Sequence, residues 1–126
     1  MHRSRFAGII IDCETPDLQA AARFWGGALG MELRAAPGDQ ASRYVRLVDP
    51  TDRLDVEVQS VEHPSRVHLD IETDDVEAEV RRLEKLGATC VAQVRTWWVM
   101  QAPTGQKFCV VRAFSAGFDA GANQWP

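Results

Sequence analysis

The sequence feature that most constrains the fold is an internal repeat. A strand pattern, a helix pattern and three more strand patterns occur twice in order. Both helix patterns begin with an acid and an aliphatic residue, Asp17-Leu18 and Asp75-Val76, and both end on Leu-Gly. One copy alone has a single helix over four strands, which is too little core to be stable. Two copies side by side, or exchanged between chains, bury enough. The sequence therefore predicts one α+β domain over residues 1–126 that is built from two tandem βαβββ modules.

The first module is predicted at about residues 5–64. Its opening run, residues 6–13, is β-branched and apolar, which is typical of a strand that is buried on both faces. Thr15, Pro16 and Asp17 then supply a capping side chain, a first-turn proline and an early acid for the helix. Clusters of turn residues separate the three strand patterns that follow. Those strands are predicted at 31–35, 42–48 and 53–61.

The second module is predicted at about residues 65–112. A strand at 66–72 precedes a helix that Asp75 caps and Gly87 ends, and further strands are predicted at 89–95, 97–101 and 107–112. The tail at 113–126 is rich in Gly and Ala, yet Phe114, Phe118 and Trp125 are costly to leave in water. The composition leaves open whether this tail is frayed or packs over the domain or a partner subunit.

Charge and composition exclude several function classes. The net charge is −4 and the basic residues are scattered, so nucleic-acid binding is not expected. The apolar runs are too short to span a bilayer, and the N-terminus lacks the apolar region of a signal peptide, so we expect a cytoplasmic protein without a membrane partner. Cys13, Cys90 and Cys109 contain no CxxC pair and have apolar neighbours, which favours inert, reduced thiols. His2 is expected in a disordered leader, and His63 in a surface loop.

Alternation along two strand patterns separates polar from apolar side chains. Asp55, Glu57 and Gln59 alternate with Leu54, Val56 and Val58, and His68, Asp70 and Glu72 alternate with Val67, Leu69 and Ile71. The apolar sets are predicted to face the helices, and the polar sets to face away from them. Such a polar face is either solvated surface or a site. If it is a site, Asp55, Gln59 and Asp70 are candidate ligand-binding residues.

Aromatic and basic side chains on other strand patterns add candidates. One of the neighbouring Trp97 and Trp98 is predicted to face the polar side while the other packs behind the sheet. An indole there offers a flat wall to a ring-bearing or acyl ligand, although core packing stays open for each. Arg46, on the same face as Tyr44, is predicted to pair with an anionic ligand group or with the acids of the neighbouring strand.

Three motifs resemble those of the vicinal oxygen chelate superfamily, which includes glyoxalase I, extradiol dioxygenases, fosfomycin-resistance enzymes and bleomycin-resistance proteins. They are Asp17-Leu-x-x-Ala-x-x-Phe-Trp-x-x-x-Leu-Gly30, His68-Leu-Asp-Ile-Glu-Thr-Asp-Asp-Val76 and Ala102-Pro-Thr-Gly-Gln-Lys-Phe108. The last departs from the family's Asp-Pro-x-Gly-Asn hairpin. The resemblance covers residues 6–112 and implies a curved mixed sheet with an open cup.

The resemblance also implies where metal ligands would stand. Members that use a metal carry one ligand on the first and one on the last strand of each module. Those positions fall at or next to Ile10, on Glu57 (or Asp55 if the register slips by two), on His68 and on Cys109. Ile10 cannot coordinate, and Cys109 lies in an apolar run that is typical of core packing. His68 and Glu57 are thus remnant ligands. A His68–Glu57–Cys109 set is conceivable for zinc, but a complete site for Zn, Ni, Mn or Fe is not predicted.

Three functions follow from these expectations. The first is a homodimeric protein of the bleomycin-resistance type that binds a small organic ligand in its cup without the full metal site. The alternative is a metal-assisted lyase, isomerase or dioxygenase-like enzyme in which His68 and Glu57 are catalytic. The third is a structural domain with a vestigial cup. His68 is either a base or ligand anchor, or a structural histidine, and fold alone does not decide.

Overall fold

The fold is α+β, and the strand–helix–three-strand order predicted from the sequence occurs twice, as expected. A computed structural model describes residues 1–51 and 54–126, so Asp52 and Arg53, predicted in a turn and at a strand start, lie outside the described residues. The elements are β1 (His2–Glu14), α1 (Leu18–Leu29), β2 (Glu32–Ala35), β3 (Tyr44–Val48), β4 (Asp55–Val61), β5 (Arg66–Thr73), α2 (Val76–Lys85), β6 (Thr89–Val94), β7 (Trp97–Gln101), β8 (Lys107–Arg112), α3 (Phe118–Gly121) and β9 (Asn123–Trp125), with a short 3-10 helix at Gly38–Ser42.

The chain divides into two compact units. The first unit is residues 8–67, and the second unit combines residues 1–7 with residues 68–126. β1 contributes to both, since its residues 8–14 pair with β4 in parallel and its residues 2–4 pair with β9 in antiparallel orientation. The predicted strand at 6–13 was therefore too short at its start. The single domain with a module boundary near residue 64 stays a prediction.

The first unit buries one face of α1 against its strands, which follow the order β2-β3-β4-β1. Its core contains Leu18, Ala22, Val45, Leu47, Val56 and Val58. The side chain of Asp17 caps α1 by accepting a hydrogen bond from the amide of Ala20 at 3.0 Å. Gly30 ends the helix at φ 69°, a left-handed conformation that glycine adopts without steric cost. Val56 and Val58 thus meet the helix, as predicted, whereas Leu54, which was predicted to face it too, lies before β4 and is 38% exposed.

The second unit packs α2 mainly on β6, β7 and β8, and its strands follow the order β5-β8-β7-β6. Its core contains Val80, Leu83, Ala88, Met100 and Val110, with Ile71 packed against it. Because α2 covers those strands rather than the start of β5, Val67 and Leu69 are 59% and 49% exposed. The prediction that both are buried beneath a helix was wrong. No helix in the described part of the chain is long and apolar enough to cross a membrane.

Both chain ends pack within the second unit. Phe118 is only 5% exposed, and the Trp125 indole donates a 2.8 Å hydrogen bond to Ser4 Oγ. His2 is buried with its Nε2 atom 2.8 Å from Glu79 Oε1, so the expected disorder of His2 was wrong. The C-terminal tail therefore packs within the second unit, where it forms α3 and β9, rather than fraying. Sequence periodicity could not show this, because the partners are far apart along the chain.

Candidate functional site

One face of β3 and β4 in the first unit carries five predicted site residues. Tyr44 pairs across the strands with Gln59, and Arg46 pairs with Glu57, so these side chains share a face. Gln59 Nε2 donates to Tyr44 Oη at 2.9 Å. Arg46 lies between two acids, 3.7 Å from Asp55 Oδ1 and 3.9 Å from Glu57 Oε1. We call Tyr44, Arg46, Asp55, Glu57 and Gln59 the β3–β4 polar face.

The β3–β4 polar face combines two shielded acids with a partly exposed guanidinium. The acids are 14% exposed, whereas the Arg46 side chain is 40% exposed. Both carboxylates lie at ion-pair distance from the guanidinium, whose exposed part can still donate to an oxygen that arrives from solvent. The pairing of Arg46 with neighbouring acids agrees with the sequence expectation, while a role of this face in ligand binding stays a prediction.

β1 contributes an apolar and an acidic residue to the same side of the first unit. Ile10 stands opposite Glu57 in the parallel pairing and is only 2% exposed. A hydrocarbon therefore occupies the position where the resemblance implies a ligand. Asp12, opposite Gln59 and also 2% exposed, escaped the sequence reasoning. Its Oδ2 lies 3.7 Å from Arg66 Nε. The signal was a lone acid two residues after Ile10 in an apolar strand.

β5 and β8 bring together three side chains in the second unit that can bind a metal ion or exchange a proton. Asp70 stands opposite Cys109 in the parallel pairing, and His68 Nε2 lies 3.3 Å from Asp70 Oδ1. One ligand atom from each of the three side chains lies within 4.8 Å of the others. His68 and Asp70 are 12% and 13% exposed. We call His68, Asp70 and Cys109 the histidine cluster.

Cys109 belongs to this cluster rather than to the core. Its neighbours Phe108 and Val110 pack with α2, and alternation turns Cys109 to the other face. The expectation of core packing for Cys109 was therefore wrong. When both faces of a strand are partly covered, its residues are all apolar, and hydropathy does not tell which face each side chain takes. The register that sets Asp70 beside Cys109 is a long-range property that the run itself does not encode.

Glu72 completes the predicted polar set of β5 but has a structural role. It is fully buried and accepts hydrogen bonds from the backbone amides of Phe114 and Ser115, at 2.9 and 3.1 Å, and from Arg5 Nε at 3.0 Å. Burial by itself raises the pKa of Glu72, but hydrogen bonds from the Ser115 hydroxyl, both amides and Arg5 outweigh it, so the pKa lies below its ordinary value. Glu72 anchors the segment after β8.

The two neighbouring tryptophans lie on opposite faces of β7. Trp98 packs against the core beside α2, which makes it a packing residue rather than a ligand contact on the polar side. Alternation places Trp97 on the face that carries Val99, and Val99 stands opposite Cys109. Of the two, Trp97 is therefore the candidate for the polar face, and its contact with a ligand stays a prediction.

The histidine cluster suits a borderline metal ion in its donor types. A tetrahedral ion with bonds of 2.0–2.3 Å separates its ligand atoms by about 3.3–3.8 Å, so the cluster needs only small side-chain adjustments. Imidazole, carboxylate and thiolate are all ligands of Zn²⁺. Glu57, the other remnant ligand predicted from the sequence, belongs to the first unit. The second unit alone thus supplies three donors, with Asp70 in the place that the sequence analysis gave to Glu57.

The sequence profile of the family described as "Glyoxalase-like domain" matches residues 8–111. No curated protein matches the sequence. A hypothetical protein from Bacillus halodurans has a similar fold, with a TM-score of 0.63 at 11% identity over 90% of this chain and 97% of that one. Methylmalonyl-CoA epimerase from Mycobacterium tuberculosis gives 0.62 at 16% identity over 86% and 88%. A Streptomyces coelicolor methylmalonyl-CoA epimerase variant in complex with 2-nitronate-propionyl-CoA gives 0.53 at 15% over 89% and 97%. At these identities the likeness carries the fold alone.

Proposed function

The chain belongs to the glyoxalase-like domain family, and from that premise we propose that it binds a small organic ligand at the sheet face that carries His68. The observation that carries the proposal is the histidine cluster. Three side chains with polar or ionisable heads share one face of β5 and β8, and two of them are largely withdrawn from water. A cluster of ionisable groups that is largely withdrawn from water is more often a functional site than a packing feature.

His68 and Asp70 give the histidine cluster its means of binding a ligand. The Asp70 carboxylate lies 3.3 Å from His68 Nε2, close enough for both groups to contact the same ligand. The imidazole can donate a hydrogen bond to a ligand oxygen or accept a proton from an acidic carbon or hydroxyl. An imidazole donor of this kind favours a ligand that carries carbonyl, carboxylate or phenolic oxygens.

The fold neighbours that are solved with a 2-nitronate-propionyl-CoA ligand support a small-molecule function of this general kind. Ile10 argues for binding without the full family set of metal ligands, because its side chain has no donor atom. The cytoplasmic location and the homodimer expected from the sequence stay predictions. A closer relationship to bleomycin-resistance proteins or to dioxygenases also stays a prediction.

The test uses three molecules that carry two adjacent oxygens: oxalate, pyruvate and catechol. We expect at least one to raise the melting temperature of the wild-type chain, since a ligand at 100 times its Kd stabilises the folded state by about 2.7 kcal/mol. His68→Ala should abolish that rise. His63→Ala is the matched control, because His63 lies in the loop before β5 and should leave the rise unchanged. Equal binding by the wild type and His68→Ala would contradict the proposal.

A second candidate function is metal-assisted catalysis of the lyase, isomerase or dioxygenase type. The specific observation in its favour is that Cys109 joins His68 and Asp70 within 4.8 Å. A divalent ion held there would supply a Lewis acid that polarises a ligand oxygen. His68, Asp70 and Cys109 would hold it, and the chain's own contribution would be to orient the ligand and move a proton.

Cobalt binding separates the two candidates without any activity assay. Co²⁺ bound to a thiolate gives an intense near-ultraviolet charge-transfer band, so we expect such a band on titration if Cys109 is a ligand. Cys109→Ala should remove the band. Cys90→Ala should retain it, since Cys90 lies outside the histidine cluster. A titration without the band, or one that both variants alter equally, would leave ligand binding without metal as the function.

A further inference from the structure

A pocket lies on the opposite face of β5 and β8 from the histidine cluster, within the second unit. Its volume is about 610 Å³. Its apolar walls come from Phe6, Leu69, Ile71, Phe108 and Trp125. Leu69 and Phe108 alternate along their strands with His68 and Cys109, so the pocket and the cluster face opposite sides. The pocket is therefore distinct from the site proposed above.

Two apolar side chains of the pocket are about half exposed to solvent. Phe6 and Leu69 are 47% and 49% exposed, because α2 covers the later strands and stops short of them. Neighbouring exposed apolar residues of this size mark ligand or partner sites. The volume falls within the range of about 300–1,000 Å³ that is usual for small-molecule sites.

The charges beside the pocket are already compensated. Arg82 donates two 2.8 Å hydrogen bonds to Glu79, and Arg5 donates a 3.0 Å hydrogen bond to Glu72. Both carboxylates are fully buried. The guanidinium groups at the pocket therefore have little residual attraction for an anion, and a charged ligand would lose hydration without gaining a partner. The remaining side-chain amides, from Gln106 and Asn123, suit a single hydroxyl or carbonyl group.

One wall of the pocket is the chain's own C-terminal strand. β9 pairs with β1, the Trp125 indole donates to Ser4 Oγ at 2.8 Å, and the Arg82 guanidinium lies 3.9 Å from the centre of its ring. These three contacts hold the indole in one orientation before any ligand arrives. A wall that is ordered in advance lowers the entropic cost of binding.

We propose that this pocket binds a small uncharged molecule with an aromatic or branched aliphatic body and at most one hydroxyl or carbonyl group. The Trp125 indole and the Leu69 side chain are both parts of its apolar lining. This binding is independent of the function proposed for His68, and its occupant stabilises the C-terminal strand against the rest of the second unit.

The test compares 2-naphthol with naphthalene-2-sulfonate, which have the same ring system but differ in charge. The readout is the indole N–H resonance of Trp125 in two-dimensional ¹H–¹⁵N NMR, assigned with the variant Trp125→Phe. We expect 2-naphthol to shift this resonance saturably and the sulfonate to bind at least about tenfold more weakly. Leu69→Glu should abolish the shift. Leu29→Glu is the matched control, because Leu29 is 50% exposed and does not line the pocket.

Several results would overturn the proposal. A resonance that does not move, or equal affinity for the two compounds, excludes a site for uncharged ligands. Equal loss in Leu69→Glu and Leu29→Glu means that the effect is general. If sedimentation shows a dimer that Leu69→Glu dissociates, while 2-naphthol fails to bind, a second copy of the chain covers this face and the proposal is wrong. His68→Ala should leave 2-naphthol binding intact, so failure here and failure of the proposed function are distinguishable.

Discussion

Replacing Glu79 by glutamine tests the network that holds both ends of the chain on α2. Glu79 is fully buried and accepts two hydrogen bonds from Arg82 at 2.8 Å, while its Oε1 atom lies 2.8 Å from His2 Nε2. Arg82 in turn lies over the Trp125 ring. Glutamine keeps the shape and one acceptor oxygen but removes the charge, so the variant isolates the electrostatic contribution of this carboxylate.

The magnitude follows from the burial of the two partners. Removing one charge of a buried ion pair costs about 3–5 kcal/mol, because the other charge is left without compensation. The Arg82 side chain is 25% exposed, so water solvates part of it. Glutamine also keeps one acceptor for the guanidinium. We therefore expect Glu79→Gln to lower the free energy of unfolding by about 2–3 kcal/mol.

Urea denaturation followed by circular dichroism measures this free energy. Glu77→Gln is the matched control, since Glu77 is an exposed residue of the same helix. Its effect should stay below about 0.5 kcal/mol. A loss below about 1 kcal/mol in Glu79→Gln, or equal losses in the two variants, would refute the reasoning that the buried network stabilises the fold.

The effect of Glu79→Gln should also depend on pH. Burial by itself raises the pKa of Glu79, but hydrogen bonds from Arg82, Ser4 and His2 outweigh it and hold the pKa below its ordinary value. The unfolded chain therefore binds more protons, and the contribution is present above the unfolded pKa of about 4.3 and is lost as pH falls through the folded pKa. The difference between wild type and variant should be smaller at about pH 3.5 than at neutral pH. A difference that is independent of pH would contradict the lowered pKa.

Two further predictions concern backbone packing and a thiol. Gly8→Ala should destabilise the chain by about 2 kcal/mol or more, because a Cβ there overlaps the carbonyl oxygen of Asp55 in the paired strand. Gly27→Ala, with open space around it in α1, should stabilise the chain by up to about 1 kcal/mol. Thermal melts that rank the two variants in the opposite order would contradict these expectations. Burial raises the pKa of the Cys90 thiol, and the Glu84 carboxylate raises it further. Glu84→Gln should therefore speed the alkylation of Cys90 by iodoacetamide, measured by mass spectrometry of the peptide. An unchanged rate would show that Glu84 does not raise this pKa.

Much of the candidate site on β3 and β4 could be predicted, because the information is local. Alternation with period two places Asp55, Glu57 and Gln59 on one face of β4, and the same rule places Tyr44 and Arg46 together on β3. Turn clusters set approximate strand ends. The contact between Arg46 and the acids followed from charge and strand order.

The histidine cluster and Asp12 were harder to predict. Cys109 and Asp12 both lie in apolar runs, where hydropathy does not tell which face a residue takes. Their importance depends on register, which sets Cys109 opposite Asp70 and Asp12 opposite Gln59. A shift of one residue in either pairing would turn these side chains to the other face. Many contacts between the strands together determine the register, so it cannot be predicted from any single segment of the sequence.

Local patterns in the sequence were enough to predict the repeat, the two capped helices and the polar and apolar faces of most strands. Those features arise from periodicity and from capping by Asp17 and Asp75, which act within a few residues. Tertiary structure alone decided which distant groups meet: His2 with Glu79, Trp125 with Ser4, and Asp70 with Cys109. These pairs are separated by 77 residues in the first case and 121 in the second. Bringing them together costs chain entropy that only the packing of the whole unit repays, so no local pattern records them.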